Sequence, residues 1–213
     1  MKNFILLFIF IFSIQSYSQS NPEKELGVWY MYNGTHKLSD NFSLKTMAHF
    51  RFFEVGDDLQ QFITRLGVNY KINKNLSVTV GHAFLNTDGT YEQLGGDAYE
   101  NRTYEDVNAK HNISKLNLAH RLRAEQRFFE ANTGHFLRYQ LGLSYPINEK
   151  WSTYLYDEVF MDFDGENFNQ NWLGAGFKYK LSKTLKLQLG YMKITDANDR
   201  SFDRIQLGVA LNH

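Results

Sequence analysis

Five short stretches of this chain repeat one pattern: "HKLSDNFSL" from His36, "YKINKNLSV" from Tyr70, "HNISKLNL" from His111, "YPINEKWST" from Tyr145 and "YKLSKTLKL" from Tyr179. They recur at spacings of 34, 41, 34 and 34 residues. That is the size of a hairpin plus a loop, so the chain repeats one supersecondary unit. Helical periodicity is absent between the turns, and most of those segments alternate with period two, which marks strands with two unlike faces.

From Phe62 one face reads Phe62, Thr64, Leu66, Val68 and Tyr70, and the other Ile63, Arg65, Gly67, Asn69 and Lys71. After Leu116 the apolar set Leu118, Leu122, Ala124 and Phe128 opposes Asn117, Arg121, Arg123, Glu125 and Arg127. Leu137, Tyr139, Leu141, Leu143 and Tyr145 oppose Arg138, Gln140, Gly142 and Ser144; near the end Ile205, Leu207, Val209 and Leu211 oppose Arg204, Gln206 and Gly208. The pattern predicts strands over roughly 26–36, 42–55, 61–72, 76–87, 100–113, 116–130, 135–147, 151–163, 169–181, 185–195 and 201–213. Short turns alternate with looser connections, so the strands form an up-and-down antiparallel meander.

A meander of this size closes into a barrel to remove its edges. Glycines decide which face is inside. Gly67, Gly81, Gly142, Gly174, Gly176, Gly190 and Gly208 all lie on the polar face among Arg, Lys and Gln. Glycine only weakens an exposed strand, whereas inside a narrow barrel it makes room for arginines to fold over and meet carboxylates. Aromatics flank the turns at Tyr70, Tyr145, Trp151 and Tyr179, where an interfacial girdle belongs. The expected fold is therefore all-β: a transmembrane β-barrel of 10–12 strands with a polar, charge-paired lumen, placed in the outer membrane against its lipid. The alternative is a secreted soluble barrel carrying a lipid in an apolar interior. Eleven countable strands sit awkwardly with the even numbers of single-chain bacterial barrels. His82, His120 and Asp157 fall on the lipid-facing set, and a bulge near Asp157 would re-aim that side chain.

The first residues have the order of a signal peptide: Lys2, an apolar run from Phe4 to Ile14, then small and polar residues, with cleavage expected after Ser18. Residues 19–213 then form one domain. With no cysteine, 23 positive and 23 negative side chains, the chain carries no disulfide or thiolate chemistry and no net field for nucleic acid. No cofactor, metal site or catalytic residue is expected, and protein partners are left open. A Ser–His pair on the lipid face would make an outer-membrane phospholipase, but no outward serine matches His82 or His120. "DFDGENFNQN" from Asp162 has its glycine too early for a helix-loop-helix calcium loop. Five Asn-x-Ser/Thr triplets, at Asn33, Asn41, Asn75, Asn101 and Asn112, lie in or beside strands and read as chance.

The candidate site is the lumenal charge cluster: Arg51, Arg65, Arg102, Arg121, Arg123, Arg127, Arg138 and Arg204, with Glu125 and Glu158, joined by the acids Glu100 and Asp106. Such a cluster either binds or filters an anionic solute or fills a narrow barrel as an internal ion-pair network.

The stretches "LGVWYMYNGTHKLSDNFSL", "RFFEVGDDLQQFITRLGVNYKINKNLSV", "ENRTYED", "HRLRAEQRF", "RYQLGLSYP" and "YDEVF" together resemble the domain of unknown function 2490 family, exported proteins of Bacteroidetes-type bacteria grouped with outer-membrane barrels. The resemblance implies a fold and a location, but no activity. One departure is "QNW" at Gln170 to Trp172, where the resemblance leads one to expect an arginine after the asparagine. One lumenal charge is then missing.

Overall fold

In a computed structural model, which describes residues 25–88, 97–165 and 167–213, every regular element is a strand. They are β1 (Leu26–Lys37), β2 (Phe42–Phe52), β3 (Leu59–Lys71), β4 (Leu76–Asp88), β5 (Asp97–Ile113), β6 (Leu116–Phe128), β7 (Thr133–Pro146), β8 (Trp151–Asp162), β9 (Asn167–Lys180), β10 (Leu185–Asp196) and β11 (Ser201–Asn212). Each pairs antiparallel with the next, and β1 closes the barrel on β11 in parallel. All eleven expected strands are present among the described residues, so the odd count is real and the parallel seam accommodates it. The expected signal peptide lies outside the described residues, as does most of the 88–99 connection; β5 begins at Asp97, earlier than the alternation suggested.

The repeated turns owe their likeness to one hydrogen-bonding device. Asn73 Oδ1 accepts the backbone N–H of Asn75 at 2.8 Å and of Leu76 at 2.9 Å. Asn148 does the same for Lys150 and Trp151, and Ser182 Oγ for Thr184 and Leu185. Ser39 Oγ accepts from Phe42 at 3.1 Å. A short polar side chain here satisfies amides that the ladder leaves over. The third repeat is one residue shorter and turns on Ser114 at φ 54°.

The apolar face is outside. Leu66, Val80, Leu155, Leu173, Phe177 and Leu189 stand exposed around the wall. Aromatic pairs band both rims: Phe42–Tyr70 and Trp151–Tyr179 at the short-turn end, Tyr30–Phe52, Phe50–Phe62 and Phe84–Tyr99 at the loop end. An apolar belt between two aromatic girdles is the exterior of a membrane-spanning barrel. The same surface excludes the soluble lipid carrier, whose apolar face would point inward.

The lumen holds the polar register, together with two apolar clusters of which the alternation set only Ile63 on that face. Trp29, Met31, Met192 and Ile194 pack with Tyr156, Trp172 and Phe202, and Met47 packs with Ile63, Ala83 and Leu85. The inward glycines mainly make room for tyrosine rings rather than for arginine stems. Tyr104 lies across Gly67 and Gly81, Tyr156 across Gly174, and the Tyr154 hydroxyl sits against Gly176 and Gly190. Asp157 stays outward, paired opposite Leu173, and donated to by Asn171 Nδ2 at 2.6 Å; the irregular register lies at Phe160/Met161 instead.

Candidate functional site

Halfway down the lumen the arginines of β5, β6 and β7 converge on four carboxylates, with those of β2 and β3 beside them. Strand parity alone forces this: Arg121, Arg123, Glu125 and Arg127 occupy alternate positions of β6, and register sets Arg102 beside Arg127, Asp106 beside Arg123 and Arg138 opposite Arg123. Glu125, only 2% exposed, accepts Arg138 Nη1 at 2.8 Å and Arg127 Nη2 at 2.8 Å, with Arg102 at 3.5 Å. Glu158 accepts Arg121 at 2.6 Å, Arg138 at 2.7 Å and the Gln140 amide at 3.0 Å. Asp106 takes Arg123 through two parallel bonds at 2.5 and 2.7 Å, and Glu100 takes Arg102 the same way. Buried carboxylates and guanidinium groups are tolerable only when paired and hydrogen-bonded like this.

Among the described residues, two arginines of the ring have no carboxylate within ion-pair distance. Arg51 donates to Gln61 Oε1 at 2.7 Å and lies over the Trp29 ring, its guanidinium carbon 3.6 Å from the centroid. Arg65 lies over Tyr104 at 5.1 Å, and its Nε is buried with no hydrogen-bond partner. Arg204 stands apart near the loop end, donating to the carbonyls of Asp203 and Glu25. Thus nine of the ten expected site residues meet in one cluster and Arg204 does not join it.

Sequence reasoning missed the aromatic platforms: Trp29 under Arg51, Phe136 under Arg127 at 3.5 Å, Phe160 under Arg138 at 4.0 Å and Tyr104 under Arg123 at 4.4 Å. A guanidinium over a ring face keeps its charge without a counter-ion nearby. Inward parity was the available signal, since each platform shares a face with the charged residues. Trp172, the departure noted in "QNW", also faces inward: it packs edge-on to Trp29 at 5.2 Å and within 5.4 Å of both Arg51 and Arg138. A ring face stands where an additional arginine was expected.

The cluster does not fill the barrel. A cavity of about 920 Å³ passes beside it, lined at the loop end by Asp196 and Arg200, at mid-height by Arg51, Arg138 and Trp172, and at the turn end by Asn117, Ser144 and Lys178. The two ends carry opposite charge. Glu54, Asp57, Glu130, Asp164 and Asp199 surround the loop mouth, whereas Lys37, Lys71, Lys74, Lys110, Lys150 and Lys183 surround the turn mouth.

The lipid-facing histidines are engaged by neighbours. His82 bonds Asn101 at 3.1 Å; His120 bonds the Tyr139 hydroxyl at 2.8 Å and stacks on His111. Among the described residues no group of three or more His, Asp or Glu is placed to hold a metal.

Comparison with known proteins agrees with the geometry. A family model described as "Protein of unknown function (DUF2490)" matches residues 26–206. No curated protein sequence matches. Among solved structures, the NanC porin aligns at TM-score 0.54 and 10% identity, covering 87% of this chain and 98% of its own. The KdgM porin aligns at TM-score 0.52 and 15% identity over 86% and 97% of the two chains. The KdgM porin in complex with disordered oligogalacturonate aligns at TM-score 0.52 and 16% identity over 82% and 86%. The shared feature is the fold, that of outer-membrane β-barrels.

Proposed function

The chain belongs to the DUF2490 family, whose description carries no activity, and from that premise we propose that it is a non-enzymatic outer-membrane barrel that binds and passes small anionic solutes. The observation that carries this reading is the surplus of cations at mid-lumen. Arg51, Arg65, Arg102, Arg121, Arg123, Arg127 and Arg138 face Glu100, Asp106, Glu125 and Glu158, and among the described residues Arg51 and Arg65 have no carboxylate within ion-pair distance. Both line the open cavity. A structural network has no need of surplus charge, because each uncompensated buried cation opposes folding; an anion filter requires it.

Placement on the wall of a narrow path lets these cations act at close range. Water beside them screens less than bulk solvent, so a passing anion gains more from each cation than it would on an open surface. His82 and His120 on the lipid face are held by Asn101 and Tyr139, and among the described residues neither is hydrogen-bonded to a serine. The test is the zero-current potential of the purified barrel in a planar bilayer under a potassium chloride gradient. Chloride preference is expected; cation preference, or a barrel that never conducts, overturns the reading.

A further inference from the structure

The turn mouth holds a second recess, which meets the arginine ring only at Arg121. Its volume is about 710 Å³, and it lies between the inner faces of β1 to β5 and the end of β6. Lys45, Lys71 and Lys110 project into it from three strands, and Arg121 forms its floor. Lys45 Nζ donates to Thr35 Oγ1 at 3.0 Å and lies close enough to Lys110 for the two charges to repel. Asp40, the carboxylate on the lining, pairs with Lys37 at 2.8 Å and also faces Lys71, one negative charge among several cations. Arg121 gives one nitrogen to Glu158, while its Nε is buried without a partner. Amides and hydroxyls of Asn69, Asn108, Ser43 and Ser77 share the wall with the apolar Phe42, Leu76, Ala109 and Ala119.

Lysines in the turns themselves, Lys74, Lys150 and Lys183, have ordinary work at headgroup level. The inward ones do not. Their parity points them away from lipid, and three like charges held around one recess oppose one another unless an anion sits between them. Lysine ammonium is a compact point charge suited to phosphate, and a surround of amides and hydroxyls suits the hydroxyl groups of a sugar. We infer that the turn-end recess is a binding site for a sugar phosphate, held by Lys45, Lys71 and Lys110. This goes beyond passage through the lumen, because binding here needs no current through the barrel.

Fructose 1,6-bisphosphate is the probe, titrated by calorimetry into the detergent-solubilised barrel, with fructose and inorganic phosphate as comparisons. The bisphosphate is expected to bind more tightly than either, and more weakly as salt is raised. Lys71 and Lys110 are exposed, so the double variant Lys71→Gln/Lys110→Gln keeps the barrel. It is expected to bind at least about tenfold more weakly, while Lys183→Gln, a turn lysine outside the recess lining, leaves the affinity unchanged. Absence of binding overturns the inference. So does unaltered affinity in the recess variant, an equal loss in Lys183→Gln, or inorganic phosphate binding as tightly as the sugar ester. A conducting, anion-selective barrel that fails this titration leaves the lumen reading standing and removes only the recess.

Discussion

Arg51 lies over Trp29, 3.6 Å from the ring centroid, and among the described residues no carboxylate comes within ion-pair distance of it. Its charge is held by a π face and the Gln61 amide rather than cancelled by an anion. That arrangement predicts a separation between stability and selectivity. Arg51→Gln, and more strongly the double variant with Arg65→Gln, should shift the zero-current potential toward cations with little loss of unfolding free energy. A double variant that keeps full chloride preference would place the selectivity elsewhere.

Glu125 should behave in the opposite manner. It anchors Arg127 and Arg138 at 2.8 Å each, so Glu125→Ala leaves several buried cations facing one another. The expected cost is about 3–5 kcal/mol in urea unfolding from lipid or detergent. If the neighbouring cavity hydrates the orphaned arginines, the loss falls toward the ~0–1 kcal/mol of exposed pairs, and the network is then no structural element.

The Tyr154 hydroxyl occupies the space above Gly190 that a methyl group would claim. Gly190→Ala should destabilise the barrel by about 1–3 kcal/mol, as overpacking does. Tyr154→Phe, which removes only the crowded oxygen, should recover part of that loss. A double-mutant cycle without coupling would show that the ring is displaced freely.

Short turns in such barrels lie at the periplasmic end. A cysteine replacing Asn73 or Lys74 should resist an impermeant thiol reagent added to intact cells, whereas one replacing Asp57 in the β2–β3 loop should react. The reverse pattern inverts the topology and moves the lysine recess to the outside.

Asp164, in the loop after β8, accepts the His135 backbone N–H at 2.5 Å and the His135 ring at 3.0 Å. The backbone bond, then the ring bond, lowers its pKa from the ordinary 3.8. A depressed carboxylate stabilises the folded loop fully above the ordinary value, and the contribution disappears as pH falls through the lower folded value. The amide resonance of His135 should therefore titrate with a midpoint below that of an exposed aspartate, and lose that titration in Asp164→Asn. A midpoint at or above 3.8 would show that the bond does not persist in solution.

Most of this barrel was legible because alternation is a strict rule: parity alone placed Arg121, Arg123, Glu125 and Arg127 on one face and Leu122 on the other. The acid partners of the β6 arginines were legible for the same reason, and Glu158 and Glu100 stand where parity put them. Other features were illegible because they depend on shear, which no single strand encodes. Trp29 and Trp172 meet edge to face across the seam region, and only closure brings β1 near β9. Tyrosine against glycine is likewise a relation between strands, invisible until Tyr104 and Gly81 are set side by side. Apolar residues such as Met31 and Leu85 face inward, packed above and below the ring of guanidinium groups, which the two-colour pattern of polar and apolar does not register.

Closure through a parallel pair leaves β1 and β11 both running from the loop mouth to the turn mouth. Leu26 and Asn212 therefore lie at opposite surfaces of the membrane, and the described strands do not divide into whole hairpins. Ten can enter the bilayer as antiparallel couples, each hiding its partner's amides, but the remaining strand must cross without a sequence neighbour on one side. Its amides stay exposed until the two termini of the sheet find each other, and parallel ladders hold slightly less per residue than antiparallel ones. The seam is thus the one ladder among the described strands that no turn tethers, and its two strands meet only when the sheet closes.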